Sequence, residues 1–158
     1  MFQKVHVFRL QRGMIIPQSL AAFCRERGIT SGIIIGMIGS LNWVRLAKLI
    51  PDHSKFGEAY DEYQGPLAIT AAQGSISTFN DELVIHIHSM LAGYGETTAI
   101  GGHFVEGEVM NTTEVYLGEL DFALVRQIDP TLGTPELVTP EGPGSMEEMK
   151  MDNKENDK

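Results

Sequence analysis

The chain predicts an α+β domain: a strongly bent, mainly antiparallel sheet of about seven or eight strands with one principal helix packed on one face. Three observations carry this. Only one stretch, Pro17 to Arg27, repeats its apolar residues at helical spacing. From Ser31 onward, short apolar or alternating runs are separated by Gly, Pro, Asn and Asp. Two of those runs flank a glycine-bearing hairpin connection, Ala92-Gly93-Tyr94-Gly95-Glu96-Thr97.

Lys4 to Leu10 alternates as a strand, with Val5 and Val7 on one side, until Arg12-Gly13 breaks it. The helix follows, with Leu20, Phe23, Cys24 and Arg27 on one stripe. Pro17 falls near the first turn, where a missing N–H costs nothing, and no good side-chain N-cap precedes it. Gly28 is placed to stop the helix in a left-handed conformation, and Ile29 to cover its end. Ile33 to Ile38 is a continuous apolar run, consistent with a strand buried on both faces or crossing to a second sheet. Gly32, Gly36 and Gly39 punctuate it without forming a phosphate loop, because no Gly-Lys-Ser/Thr follows.

Further strands are predicted over Leu41 to Ile50, Phe56 to Tyr63 and Leu67 to Phe79, the last interrupted near Gly74. Asn80-Asp81-Glu82 then turns the chain into the run that ends Ile85-His86-Ile87-His88. After His103, Gly107 separates a short extended piece from Thr112 to Leu120, and Ala123 to Ile128 reads as the final strand. Residues 1 to 128 therefore form the domain. Residues 129 to 158 hold Pro130, Pro135, Pro140, Gly142, Pro143 and Gly144 before a Met-, Glu- and Lys-rich end, a composition expected to be disordered.

The histidines carry the chemistry. The two-residue period of a strand sends His86 and His88 to the same side, with Val84 and Met90, while Leu83, Ile85, Ile87 and Leu91 form the apolar face. If Ala92 pairs with Thr97, antiparallel counting places His86 opposite His103 and His88 opposite Gly101, so all three rings share one face. A one-residue slip would move His103 to the other. Gly101 and Gly102 are expected to leave space around the ligands. An isolated His-x-His pair is most often an ordinary surface feature; the third histidine in compatible register favours a metal site. Three neutral imidazoles suit Zn²⁺ first, with Ni²⁺, Cu²⁺ or Fe²⁺ as alternatives, and leave a coordination position for water, a carboxylate or a neighbouring subunit.

Other residues receive blander readings. Cys24, the only cysteine, is expected to be a buried structural thiol. The N-terminus lacks a signal-peptide pattern and no segment is long enough to span a membrane, which points to a cytoplasmic protein. The net charge of −9, of which the acidic end contributes −3, argues against a general nucleic-acid surface. Arg25, Arg27, Arg45 and Lys48 form the one candidate basic patch, and solvated charges are the simpler reading. Ser75 and Ser77 lack a nucleophile elbow. His6 and His53 read as surface residues, and Trp43 as a packing residue at the sheet or a subunit contact. Glu106, Glu108, Glu114 and Glu119 read first as solvated strand residues, with Glu114 the preferred candidate among them for a general base or fourth ligand; Tyr94 reads first as an ordinary turn aromatic, with closure over the site as the alternative.

The order Phe23-Cys24-Arg25-Glu26-Arg27-Gly28-Ile29, Ser31-Gly32, Gly36-Met37-Ile38-Gly39-Ser40-Leu41, Tyr63-Gln64-Gly65-Pro66-Leu67, His86-Ile87-His88 and Gly101-Gly102-His103 resembles the PPC domain, the plant and prokaryote conserved domain. The resemblance covers about residues 4 to 126. It implies a compact α+β subunit that assembles as a homotrimer, often the whole protein in prokaryotes. In plants the domain follows AT-hooks in DNA-associated regulators and mediates assembly. Here there is no Arg-Gly-Arg-Pro hook, and Gly65-Pro66-Leu67-Ala68-Ile69 replaces the plant Gly-Arg-Phe segment. Some prokaryotic relatives hold a metal at positions matching His86, His88 and His103. Two functions compete: a trimeric interaction module linked to DNA or transcription, and a metal-dependent hydrolase or lyase acting on a small polar compound.

Overall fold

The computed structural model describes residues 2–48, 59–93 and 99–138. The chain runs β1 (Phe2–Gln11), β2 (Ile15–Ile16), α1 (Gln18–Arg27), β3 (Gly32–Ala47), β4 (Tyr60–Phe79), β5 (Glu82–Gly93), β6 (Ala99–Leu120), β7 (Val125–Ile128) and β8 (Pro135–Val138). All the strands join one eight-stranded sheet. It is mainly antiparallel; β7 joins β4 in parallel at Thr78 and Val125. The bend goes further than the sequence predicts. β6 pairs with β3 and with β5, β3 with β4, and β4 with β5, so these four strands close into a ring.

Closure is possible because the strands are long and bulged. The sequence predicts breaks at the glycines of 36–39, at Gly65-Pro66 and at Gly107, yet β3, β4 and β6 run through them. Register shifts in β3 between Ile34 and Gly36, Gly39 and Leu41, and Leu41 and Trp43 turn those glycines into bends. Gly65-Pro66 faces the shift between Leu41 and Trp43, where Leu41 pairs with Leu67 and Trp43 with Gln64. At a bulge a proline removes no ladder bond.

The core lies between the sheet and α1. Leu20 and Cys24 of the helix are fully buried with Ile34, Met37, Ile87, Leu91 and Leu117. Burial pushes the Cys24 thiol up to about 11, as befits a structural cysteine. Gly28 ends the helix at φ 69°, and the Ile29 N–H donates to the Cys24 carbonyl at 2.9 Å. Pro17 occupies the N-cap position without a side-chain cap, as the sequence predicts.

Two expectations are corrected. His6 is not a surface residue: its side chain is 9% exposed, Nε2 lies 2.9 Å from a Glu119 carboxylate oxygen, and its ring meets Phe23 edge-on. Residues 129–138, the described part of the segment expected to be disordered, include β8, which pairs antiparallel with β7. Asp129 makes this hairpin: Oδ1 accepts the N–H groups of Thr131 at 2.7 Å and Leu132 at 2.9 Å, which tightens the turn. Residues 139–158, His53 and Tyr94 lie outside the described residues. Among the described residues no helix is long and apolar enough to cross a membrane.

Candidate metal centre

β5 and β6 bring His86, His88 and His103 together, with one potential ligand atom from each lying within 4.8 Å of the others. Their ring centroids are 4.8 to 5.5 Å apart. Strand parity produces this, as the sequence predicts: Ile87 and Leu91 are buried while His86, His88 and Met90 face away from the core. The register differs. Ala92 pairs with Ala99 and not Thr97, so His88, not His86, stands opposite His103, and Met90 takes the place opposite Gly101. The connection is two residues longer than a four-residue loop, and a shift of two preserves the face.

The glycines serve strand packing. A Cβ on Gly101 would lie 2.4 Å from Met90 Sδ, and one on Gly102 3.0 Å from the Ala47 carbonyl oxygen. The space expected around the ligands is thus filled by neighbouring strands. Gly74 plays the larger part: a Cβ there would lie 2.1 Å from the His86 carbonyl oxygen, so only glycine lets β5 approach β4 behind His86.

Both half-buried rings are held neutral. Burial, reinforced by His103, Arg126 and His88, lowers His86 to about 4. Burial, then His88 and Arg126, also lowers His103. Neutral imidazoles are the ligand form. Nitrogens on one tetrahedral zinc stand about 3.4 Å apart, so modest imidazole rotation closes this set around an ion. Three neutral imidazoles with an open fourth position supply Lewis-acid chemistry and a water of lowered pKa when a divalent ion is bound.

Arg126 of β7 stands beside the three histidines, a neighbour that sequence reasoning misses. Nη2 donates to His86 Nδ1 at 3.2 Å and to Ser75 Oγ at 3.3 Å, Nε to Ser77 Oγ at 3.0 Å, and Nη1 to the Pro135 carbonyl at 3.0 Å. The two serines therefore anchor an arginine. Their shared parity on β4, opposite His86 and Val84, is the one signal the sequence holds. A cavity of about 450 Å³ opens beside the centre, lined by His86, His103, Arg126, Val84, Val105 and Tyr60 among others.

The carboxylates expected near the site stand elsewhere. Glu114 lies far along β6 opposite Ile38, and accepts from the Tyr116 hydroxyl at 2.6 Å. Glu106 accepts from Arg45, Glu108 from Asn42, and Glu119 pairs with His6. The candidate basic patch is largely neutralised: Arg45 pairs with Glu62 and Glu106, Lys48 with Asp61, and Arg27 with Glu26 while it covers the Phe23 ring at 4.0 Å. Trp43 is half-buried in β3, between Gln64 and Glu108.

Residues 1–121 match the model of the Plants and Prokaryotes Conserved (PCC) domain. The chain belongs to this family. Solved structures share the fold of the PCC chain. A plant- and prokaryote-conserved protein of Pyrococcus horikoshii is 23% identical, with 88% of this chain and 94% of that one covered at a TM-score of 0.77. A metal-containing protein of Archaeoglobus fulgidus is 24% identical, with 88% and 96% covered at a TM-score of 0.76. A protein of Bacteroides thetaiotaomicron, provisionally named as DNA-binding, is 22% identical, with 87% and 95% covered at 0.75. The bifunctional protein GlmU of Synechococcus sp. (strain JA-3-3Ab) is 29% identical over 139 residues, 85% of this chain. The PCC chain spans 20% of the length of that curated relative.

Proposed function

We propose that this PCC chain is a homotrimeric metal-binding interaction module of the cytoplasm, with a divalent ion, Zn²⁺ first, held by His86, His88 and His103. The convergence of three outward imidazoles, two of them half-buried and neutral, carries this reading. The trimer is supported by the apolar outer face: Val7 is 66% and Ile38 60% exposed, with Val5, Ile33 and Ile35 beside them. Covering such a face is a usual reason for assembly. A link to DNA rests on the names of structural relatives, and the net charge of −9 opposes direct duplex binding. The free, buried Cys24 fits a reducing compartment.

Elemental analysis of untagged protein beside the H86A/H88A variant, with oligomer mass measured on both, tests the centre. Metal lost from an intact trimer supports a working site; a parent protein without metal overturns the assignment. A gel shift across several salt concentrations tests DNA, and absence of any salt-dependent complex removes it. A second reading, a metal-dependent hydrolase or lyase, is favoured by the cavity that opens onto His86 and His103. Metal-loaded protein inert toward ester, phosphate and small-molecule panels would exclude it.

A further inference from the structure

We infer that the cavity beside the histidines is a binding site for a small carboxylate with an apolar body, its carboxylate held by the Arg126 guanidinium. This rests on the metal reading above and adds a ligand class to it.

At about 450 Å³ the cavity is of small-molecule size. Phe79, Val84, Ile85, Val105, Tyr60 and Pro135 make most of its wall hydrocarbon, which suits an apolar body. Among the described residues Arg126 is the one permanent cation lining it. Its four partners, Ser75, Ser77, His86 and the Pro135 carbonyl, are neutral acceptors, and among the described residues no ion pair includes it. Among the described residues Glu136 is the only acid in the lining; it is exposed, accepts from Thr134 Oγ1 at 2.7 Å, and its charge reaches Arg126 without an ion pair. A half-buried guanidinium that faces an apolar cavity with no carboxylate in ion-pair contact has room for an anionic partner.

Donor geometry gives the form of the missing partner. A guanidinium has five N–H donors, and the four bonds leave one on Nη1. Since a guanidinium only donates, His86 accepts through Nδ1, with its own proton on Nε2. Ligation of an ion by either nitrogen of His86 ends that acceptance and frees a donor on Nη2. Nη1 and Nη2 then present two N–H groups side by side, the fork that a carboxylate accepts bidentately. The serines and the Pro135 carbonyl keep the fork in place. The hairpin that carries it lies beyond residue 121, where the family match ends.

The test titrates the full chain, loaded with Zn²⁺ and its metal content measured, with benzoate and hexanoate, and with benzamide and hexanamide as neutral counterparts. The acids are expected to bind at least tenfold more tightly than the amides. R126Q is expected to lose at least tenfold in acid affinity at unchanged metal content, and R126K to recover part of the loss. Equal binding of acids and amides, or R126Q binding acids like the parent, overturns the inference while leaving the metal centre standing. A chain that takes up no zinc overturns the metal reading instead; acid binding that still depends on Arg126 then upholds the carboxylate site, and its absence overturns that too. Should R126Q fail to fold, S77A, which removes one anchor at little change of volume, is expected to weaken acid binding severalfold, and no change in that variant counts against the proposal.

Discussion

His88 of β5 stands directly opposite His103 of β6, and His86, two residues back, joins the same cluster diagonally. Diagonal neighbours are normally about 7 to 8 Å apart at Cα. Here the His86 and His103 rings approach to 4.8 Å between centroids, closer than the directly opposed pair at 5.5 Å. A histidine ring swings on two side-chain torsions, so the diagonal rings can approach more closely than their Cα atoms do.

Each histidine is expected to be a ligand in its own right. Single H86A, H88A and H103A variants should each lose about 100-fold or more in Zn²⁺ affinity, measured by competition with a chromophoric chelator. All three should remain folded, because no ring contributes to the apolar core. A variant that binds zinc as tightly as the parent removes that residue from the ligand set.

Acid should destabilise the metal-free chain over a defined window. His86 is lowered from its ordinary 6.5 to about 4, so between these values the unfolded chain binds a proton that the folded chain refuses. Its contribution to stability is therefore complete above about pH 6.5 and is lost as the pH falls toward 4. Urea unfolding at steps from pH 7.5 to 4 is expected to show stability falling across that window, with a shallower fall in H86Q. An identical slope in the two proteins would show that the ring carries no such shift.

Gly74 is expected to be intolerant of any side chain. The Cβ of G74A would lie 2.1 Å from the His86 carbonyl oxygen, and backbone cannot yield as a side chain tip can. A loss of about 2 kcal/mol or more in chemical denaturation is expected, accompanied by weaker metal binding as β5 is pushed from β4. Stability within about 0.5 kcal/mol of the parent would mean that the strands part without cost.

Charges on the outer face should dissolve the assembly. V7D combined with I38D alters side chains that are 66% and 60% exposed in the single chain. Light scattering is expected to show a monomer whose circular dichroism matches the parent. A trimer of unchanged mass would place the interface on another surface.

The sequence alone determined the single helix with its Gly28 stop, the dominance of strands, the inward Leu83, Ile85, Ile87 and Leu91, and the outward His86 and His88. These are local properties: helical spacing, glycine conformation and strand alternation act within a few residues, and alternation survives a register error of two. Where strands end was not legible, because Gly39, Gly65-Pro66 and Gly107 read as breaks and become bulges or close approaches only against a neighbouring strand. His6 and Glu119 lie at distant points of the chain, and their pairing follows from the β1–β6 ladder. The Arg126 anchor arises in the same way, because β7, the last strand expected from the sequence, is joined to β4 and β8 so that Arg126 reaches Ser75, Ser77 and His86. Strand parity put His86 and His88 on one face, while the pairing of β5 with β6 decided which of them faces His103 and the pairing of β7 with β4 set Arg126 beside them, since through-space contacts between remote segments leave no periodic trace in a sequence.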